Sequence, residues 1–359
     1  MRAPPRLRLC LPAPALTVLE SVAHSSCPAP EERRLCAKDA KTAFGLRDWA
    51  RARCIGEYAL PASTVTTGLS RLTPAQARAE GARSLVIGVA PAGGLIAPAW
   101  VPALVEALEA GLDLVSGMHT RLEDVPQLNS AATRFGRRLI NIRLPPTGLP
   151  VGTGRKRTGK RLLTVGTDCA LGKKYTALSL TREFKRRGVE ADFRATGQTG
   201  ILIAGGGLPI DSVVADFVAG AAETLSPDAS LNNWDVVEGQ GSVFHPSYSG
   251  VSLGLLHGTQ PDVIVMCHEV GRDWVLDVEH YATPSVPEAI ELTLTLARRT
   301  NRQARCAGIS LNTSMLDEAQ ARSVLAYYSE RLHLPVADPL RGGHELDRLV
   351  DACLAGSVP

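Results

Sequence analysis

The second half of the chain repeats one pattern five times, and this repetition limits the possible folds more than any other feature. Each repeat is a short apolar run that ends in Gly, Thr, His or Asn and is followed by a connector or a helical pattern. The runs are RLLTVG, EADFRAT, WDVVEG, DVIVMCH and RCAGISLN. Continuous apolar strands that alternate with helices indicate an α/β fold with a mainly parallel sheet covered on both faces. Ligands of such sheets bind beyond the carboxyl ends of the strands, so the polar residues at these ends are the first candidates for a site.

The first half shows the same alternation in a smaller region. Its apolar runs are CIGEYAL, SLVIGVA, LDLVSG and RLINIR, with a helical pattern in PAWVPALVEALEAG. We therefore predict an α/β domain over residues 39–145 and a second α/β domain over residues 161–359. Residues 146–160 are rich in Pro, Gly and basic residues without apolar periodicity, which predicts a surface linker.

Residues 1–38 are predicted to form a disordered leader. The segment begins with positive charge and a short apolar run, as a signal peptide does, but Pro12 and Pro14 interrupt that run and no clear cleavage site follows.

Composition excludes several functional classes. The 359 residues carry a formal net charge of +3 and only 4% aromatic residues, which does not suggest a nucleic-acid surface. No apolar run is long enough to span a membrane. The eight cysteines form no C-x-x-C pair, which fits neither a zinc site nor a secreted disulfide scaffold and predicts the reducing cytoplasm. A small anionic ligand fits this composition better.

A phosphate-binding loop is predicted after the first strand of the second domain. The strand, loop and helix order is correct for such a loop, whose backbone N–H groups and helix N-terminus form a pocket for phosphate oxygens. An ordinary strand-to-helix turn is the alternative. The candidate ligand-binding residues of the loop are Gly166, Thr167, Asp168, Cys169, Ala170, Leu171, Gly172, Lys173, Lys174 and Tyr175.

Two features separate this loop from the common nucleotide-binding pattern. Its first glycine, Gly166, lies one position too early for G-x-x-x-x-G-K, and Lys174 occupies the position of the Ser or Thr that normally holds Mg²⁺. A lysine there would repel the metal, so no metal is expected. The Gly-Thr-Asp variant of the loop resembles that of dethiobiotin synthetase and related enzymes.

Further candidates end other strands of the same predicted sheet. Glu238 precedes Gly239 and Gly241 and is similar in position to the glutamate that serves Mg²⁺ in dethiobiotin synthetase. The alternative interpretation is a glycine turn with an exposed glutamate. The polar groups of a predicted glycine-rich loop include Gln198, whereas a plain flexible linker is the alternative there. The remaining strand-end candidates are His245, His268, Arg272 and Asn312, for which a structural histidine, a solvated arginine or a helix cap is the competing interpretation.

Several stretches together resemble one bacterial family long known only as a domain of unknown function. They are AKTAFGL, GVAPAGG, SGMHTRLED, GTDCALGKKYTA, ATGQTGI, VEGQGS, MCHEVGR, GISLNT and DPLRGG, and the similarity runs from about Asp39 almost to the end. The characterised branch of this family is D-glutamate N-acetyltransferase. The resemblance implies a Rossmann-like N-terminal domain, a P-loop C-terminal domain and a loop lysine without a following Ser or Thr.

This resemblance implies acetyl-CoA as co-substrate and an acidic amino acid as acceptor. Lys173 and Lys174 would neutralise coenzyme A phosphates, and Lys173 is expected to face solvent, so that its removal leaves the fold intact. Asn312 would contact the adenine ring. The candidate general bases are Glu238, which is the first choice, His245 and His268. The candidate acceptor-binding residues are Lys41, Arg47, His119, Gln198, Arg272 and Arg341. A cytoplasmic homo-oligomer without nucleic-acid or membrane partners is expected.

Two other functions fit the same residues. A P-loop ligase or kinase that uses ATP and Mg²⁺ would place Lys173 on the phosphates and Glu238 on the metal. A regulatory module that only binds a nucleotide would keep the loop and need no base.

Overall fold

A computed structural model describes residues 16–20, 40–60, 65–91, 93–278 and 280–355, with residues 16–20 described as backbone only. The chain forms two compact units. Unit 1 comprises residues 1–144 together with 198–212, and unit 2 comprises residues 145–197 and 213–359. The first change of unit falls between residues 144 and 145, and the segment 198–212, which the sequence predicts within the second domain, packs with unit 1.

Unit 1 contains a five-stranded parallel sheet in the order β2-β1-β3-β4-β5. Its strands are β1 (Leu16–Glu20), β2 (Cys54–Ala59), β3 (Ser84–Ile87), β4 (Asp113–Ser116) and β5 (Leu139–Asn141). Its helices before residue 145 are α1 (Lys41–Trp49), α2 (Pro74–Ala79), α3 (Val101–Glu109) and α4 (Pro126–Phe135). Fully buried β3 and β4 pack against α3 and α4 in one apolar core.

Strand β1 corrects one prediction. Leu16–Glu20 was assigned to a disordered leader, but the structure pairs this segment with both β2 and β3 in the middle of the sheet. Its sequence, LTVLE, is apolar and β-branched enough for a strand. The segment was assigned to the leader because Pro12 and Pro14 interrupt the apolar run just before this strand. The rest of the predicted leader lies outside the described residues.

Unit 2 contains a six-stranded parallel sheet in the order β11-β10-β9-β6-β8-β7. Its strands are β6 (Lys160–Gly166), β7 (Ala191–Arg194), β8 (Trp234–Val237), β9 (Val263–Glu269), β10 (Arg305–Asn312) and β11 (Val336–Ala337). The helices after residue 145 are α5 (Lys173–Arg186), α6 (Gln198–Ala204), α7 (Val218–Leu225), α8 (Ser249–Thr259), α9 (Val286–Ala297), α10 (Glu318–Leu332) and α11 (Gly343–Leu354), of which α6 belongs to unit 1.

Helices cover both faces of this second sheet. One apolar core packs α5 and α11 against residues such as Val265, and another packs α9 and α10 against residues such as Met266. Neighbouring residues of a strand point to opposite faces, so the two cores lie on the two sides of the sheet. All five strands predicted in the second domain are present, and the parallel α/β fold is confirmed. Among the described residues, no helix is both long and apolar enough to cross a bilayer.

The segment predicted as a surface linker is part of unit 2 and packs within it. Arg157 is buried, and its guanidinium donates to the backbone carbonyl oxygens of Glu223 and Thr259 at 2.9 and 3.0 Å. A surface linker was predicted because composition alone does not show which cation finds buried carbonyl partners.

Candidate functional site

The predicted loop lies between β6 and α5, as the sequence indicated. After Gly166 the backbone turns into the left-handed region at Ala170, with φ of 54°, and at Gly172, with φ of 110°. No side chain caps the N-terminus of α5. Its N-cap residue is Gly172, which has no side chain, and the N-terminus of a helix is a position that can receive an anion.

Lys173 differs from its prediction because it is buried. Its Nζ donates to the backbone oxygen of Asp168 at 2.7 Å, and its side chain passes beside Gly239, where an added Cβ would lie 3.1 Å from the lysine Cδ. Burial lowers the pKa of Lys173, opposed by the neighbouring Cys169, Cys267 and Asp168. The prediction of a solvent-facing Lys173 is therefore wrong. Lys173 braces the loop from inside.

Lys174 is the more accessible of the two loop lysines. It and Tyr175 are half-buried, and the lysine Nζ lies 5.1 Å from the centroid of the tyrosine ring. Lys174 is therefore the cation of this pair that an external phosphate can reach without unpacking the loop.

The segment after β9 holds the middle of the loop. Arg272 donates from Nη1 to Asp168 Oδ2 and to the backbone oxygen of Cys169, both at 2.9 Å, and it forms an ion pair with Glu269. The backbone N–H of Leu276 also donates to Asp168 Oδ2, at 2.8 Å. Arg272 was predicted to bind substrate, but in the structure its guanidinium positions the loop.

Thr167 connects the loop to the end of β9. Its hydroxyl lies 3.0 Å from Nδ1 of His268, and its backbone oxygen accepts from Ser242 Oγ at 3.1 Å. Burial and the nearby Arg272 lower the pKa of His268, so its imidazole is neutral at pH 7.

Glu238 follows β8, the neighbour of β6, and is buried. Its Oε2 accepts from the backbone N–H groups of Thr196 and Gly197 at 3.0 and 3.1 Å. The next residue must be glycine, because an added Cβ at Gly239 would lie 1.7 Å from the backbone oxygen of Thr164. This close approach holds Glu238 beside the loop, where the sequence placed it.

His245 is buried with both ring nitrogens in hydrogen bonds. Nε2 lies 3.1 Å from the backbone oxygen of Leu276, and Nδ1 accepts from the backbone N–H of Ser247 at 3.1 Å. A carbonyl oxygen can only accept, so the proton is on Nε2. The ring is fixed in one tautomer and one orientation.

Two predicted contacts after β10 serve the local loop. Asn312 Oδ1 accepts from the backbone N–H of Ser314 at 3.1 Å. Arg341 donates to the hydroxyl of Thr313 at 2.8 Å, to the backbone oxygen of Leu316 and to Glu318. Each of the three guanidinium nitrogens makes at least one of these bonds, so Arg341 positions the local loop.

The other predicted acceptor residues belong to unit 1. Lys41 is exposed at the start of α1. Arg47 contacts Asp48, the backbone oxygen of Thr67 and the ring of Phe44.

His119 lies in the loop after β4, and Gln198 is the first residue of α6, both in unit 1. The ring of His119 lies against Gly94 and contacts Arg143, which pairs with Asp211 at 2.9 Å. The buried Oε1 of Gln198 lies against Gly117, and among the described residues it has no hydrogen-bond partner. Arg143 is not among the predicted site residues, although it is the last residue of the predicted strand RLINIR.

Comparison with known families accounts for the organisation seen in both units. Residues 150–350 match the Domain of unknown function (DUF1611_C) P-loop domain, and residues 54–145 match the Domain of unknown function (DUF1611_N) Rossmann-like domain. The chain belongs to the DUF1611 family. The predicted Rossmann-like and P-loop domains are thereby confirmed.

Characterised and solved relatives cover nearly the whole DUF1611 chain. A protein named D-glutamate N-acetyltransferase from Tritonibacter scottomollicae is 48% identical over 316 residues, which is 88% of this chain and 94% of the relative. Another with the same name from a Pseudoalteromonas species is 46% identical over 303 residues, or 84% and 91%. The crystal structure of a DUF1611 protein from Anabaena variabilis superposes with a TM-score of 0.82 and 32% identity, covering 95% of this chain and 99% of that one.

Proposed function

We propose that this protein transfers an acetyl group from acetyl-CoA to the amino group of D-glutamate. The observation that carries the proposal is the similarity to two proteins named D-glutamate N-acetyltransferase, at 48% and 46% identity over 88% and 84% of the chain. The aligned 316 and 303 residues exceed the length of either unit, so the similarity extends through both.

The loop supports a nucleotide-containing donor. Coenzyme A carries a pyrophosphate and a 3′-phosphate, and the loop that leads into the N-terminus of α5 is the kind of backbone that binds such oxygens. Half-buried Lys174 adds a cation in place of the hydroxyl that would hold Mg²⁺. Acetyl transfer moves no phosphoryl group, so the loop can bind the donor without that metal.

The length of coenzyme A affects the roles of the residues around the loop. The pantetheine arm separates the thioester from the pyrophosphate. Glu238, His245 and His268 all lie beside the loop, where they would be near the phosphates rather than near the acetyl group of the same molecule. We therefore assign these three residues to donor binding and loop geometry, and we expect the proton acceptor for the amine elsewhere in the protein.

Thiol release from acetyl-CoA, measured across D- and L-amino acids, tests the function directly. We expect turnover with D-glutamate and little with non-acidic amino acids, because the acceptor carries two carboxylates. Mass spectrometry should identify N-acetyl-D-glutamate as the product. Absence of thiol release with every acceptor would contradict the proposal.

The ATP-dependent alternative requires a second measurement. Calorimetric titration with acetyl-CoA, and separately with ATP and Mg²⁺, distinguishes the two donors. Tight ATP binding that requires Mg²⁺, together with no signal for acetyl-CoA, would favour the ligase.

A further inference from the structure

We propose that Asp168, Cys169 and His245 bind a divalent transition-metal ion of the Zn²⁺ class. Each residue offers one ligand atom, and these atoms all lie within 4.8 Å of one another. This site is independent of the acetyl-transfer proposal, because it rests only on the positions of these side chains.

The carboxylate of Asp168 supplies the strongest observation. The residue is fully buried, and its Oδ2 accepts from Arg272 and from the backbone of Leu276. Its Oδ1 is also buried, yet it has no hydrogen-bond partner among the described residues. An unsatisfied buried carboxylate oxygen is costly, and a cation bound there would satisfy it.

The surrounding contacts resemble the outer shell of a metal site. Leu276 holds two of the ligands, since its N–H binds Asp168 and its carbonyl accepts from Nε2 of His245. A metal-binding histidine commonly donates its other ring N–H to a backbone carbonyl, which fixes the tautomer and presents the free lone pair to the ion. In the structure Nε2 bonds Leu276 and Nδ1 accepts from Ser247, so the ring nitrogen that binds the ion must exchange its present hydrogen bond for the metal.

The ligand types indicate which ion fits. Carboxylate oxygen, thiolate sulfur and imidazole nitrogen together suit Zn²⁺ or Co²⁺, whereas Mg²⁺ prefers oxygen ligands only. Three protein ligands leave one position open, and half-buried Cys169 provides the accessible side.

Charge both favours and opposes the ion. The carboxylate and the thiolate neutralise a dication, while Arg272 and Lys173 lie beside Asp168 and reduce the affinity. This proposal departs from the expectation from the sequence that no metal binds, which rested on Lys174 in the Mg²⁺ position and on the cysteine pattern. The absence of a C-x-x-C pair also hid the site, because its ligands come from two distant segments.

The test uses the full-length protein stripped of metal and titrated with Co²⁺ alone. We expect a single Co²⁺ to bind per chain, with a near-ultraviolet thiolate-to-cobalt charge-transfer band. Cys169→Ser should remove this band, and His245→Gln should weaken binding by more than the roughly 100-fold upper end seen for outer-shell changes. Cys306→Ser is the matched control, because Cys306 is also half-buried and lies outside the site, so its band should remain.

Circular dichroism and thermal unfolding show whether each variant folds. If His245→Gln fails to fold, the charge-transfer band of folded Cys169→Ser decides the question. Retention of the band in Cys169→Ser would mean that an adventitious ion binds elsewhere and would overturn the proposal. Absence of Co²⁺ and Zn²⁺ binding to the wild-type protein would overturn it as well.

Discussion

At the scale of single residues, the two loop lysines have opposite environments. Lys173 is buried against the loop backbone, whereas Lys174 is half-buried and accessible. We expect Lys174→Ala to raise the Kd for acetyl-CoA about 10- to 100-fold, since a hydrogen bond to a charged group contributes about 1.5–3 kcal/mol. Lys185→Ala, at the exposed far end of α5, should leave the Kd unchanged. Equal Kd values for the two variants, measured by calorimetry, would exclude phosphate binding by Lys174.

His268 should make stability depend on pH. Its pKa is lowered in the folded protein, so the unfolded chain takes up a proton near pH 6.5 while the folded imidazole stays neutral. The stabilising contribution is therefore present above pH 6.5 and is lost as the pH falls below it. Denaturant unfolding should show a shallower loss of stability on acidification in His268→Gln than in the wild type. Exposed His344→Gln should behave like the wild type, and identical slopes in all three proteins would contradict the assignment.

At the scale of elements, apolar patterning predicted the strands well and the connections poorly. The five apolar runs of the second half form β6 to β10, because buried parallel strands need continuous apolar residues. Helix α6 was predicted as part of a glycine-rich loop, because the glycines within and around it suggest flexibility while its packing against α1 depends on tertiary contacts. The same contrast between strands and connections applies to the candidate site. Strand ends located Glu238 and His268, but the bracing by Arg272 and Leu276 depends on a fold that local sequence does not reveal.

The segment 146–160 contains one buried arginine, Arg157, and one exposed arginine, Arg155. Replacing each in turn tests whether the segment is packed into unit 2 or solvated. Arg157→Ala would leave several buried carbonyl oxygens without a donor, and we expect it to lower the free energy of unfolding by at least about 3 kcal/mol. Arg155 is 71% exposed and pairs with exposed Asp228, so Arg155→Ala should cost less than about 1 kcal/mol. Urea denaturation of both variants measures the difference. Similar losses would mean that the segment is a solvated linker after all.

At the scale of the whole molecule, the order of the chain does not follow its division into units. The chain enters unit 2 at residue 145, returns to unit 1 for residues 198–212 and then completes unit 2. Within unit 1, α6 is held by a hydrogen bond of 2.9 Å between the hydroxyls of Thr42 and Thr199. Arg53 also donates to the backbone oxygens of Leu202 and Ile203. The segment 198–212 is therefore joined to unit 2 by the polypeptide chain at both of its ends.

A fragment of residues 145–359 tests this arrangement. It keeps the core of unit 2 and the buried Arg157, so we expect it to fold and to bind acetyl-CoA, but its α6 has lost α1 and Arg53. A seven-residue helix without tertiary contacts is unstable in water, so the amides of Gln198–Ala204 should exchange with deuterium much faster than in the full-length protein. The amides of α8, whose packing partners α7 and α9 remain, serve as the internal control. Equally slow exchange of Gln198–Ala204 in both proteins would show that unit 2 alone holds this helix, and the division of the chain would have to be redrawn.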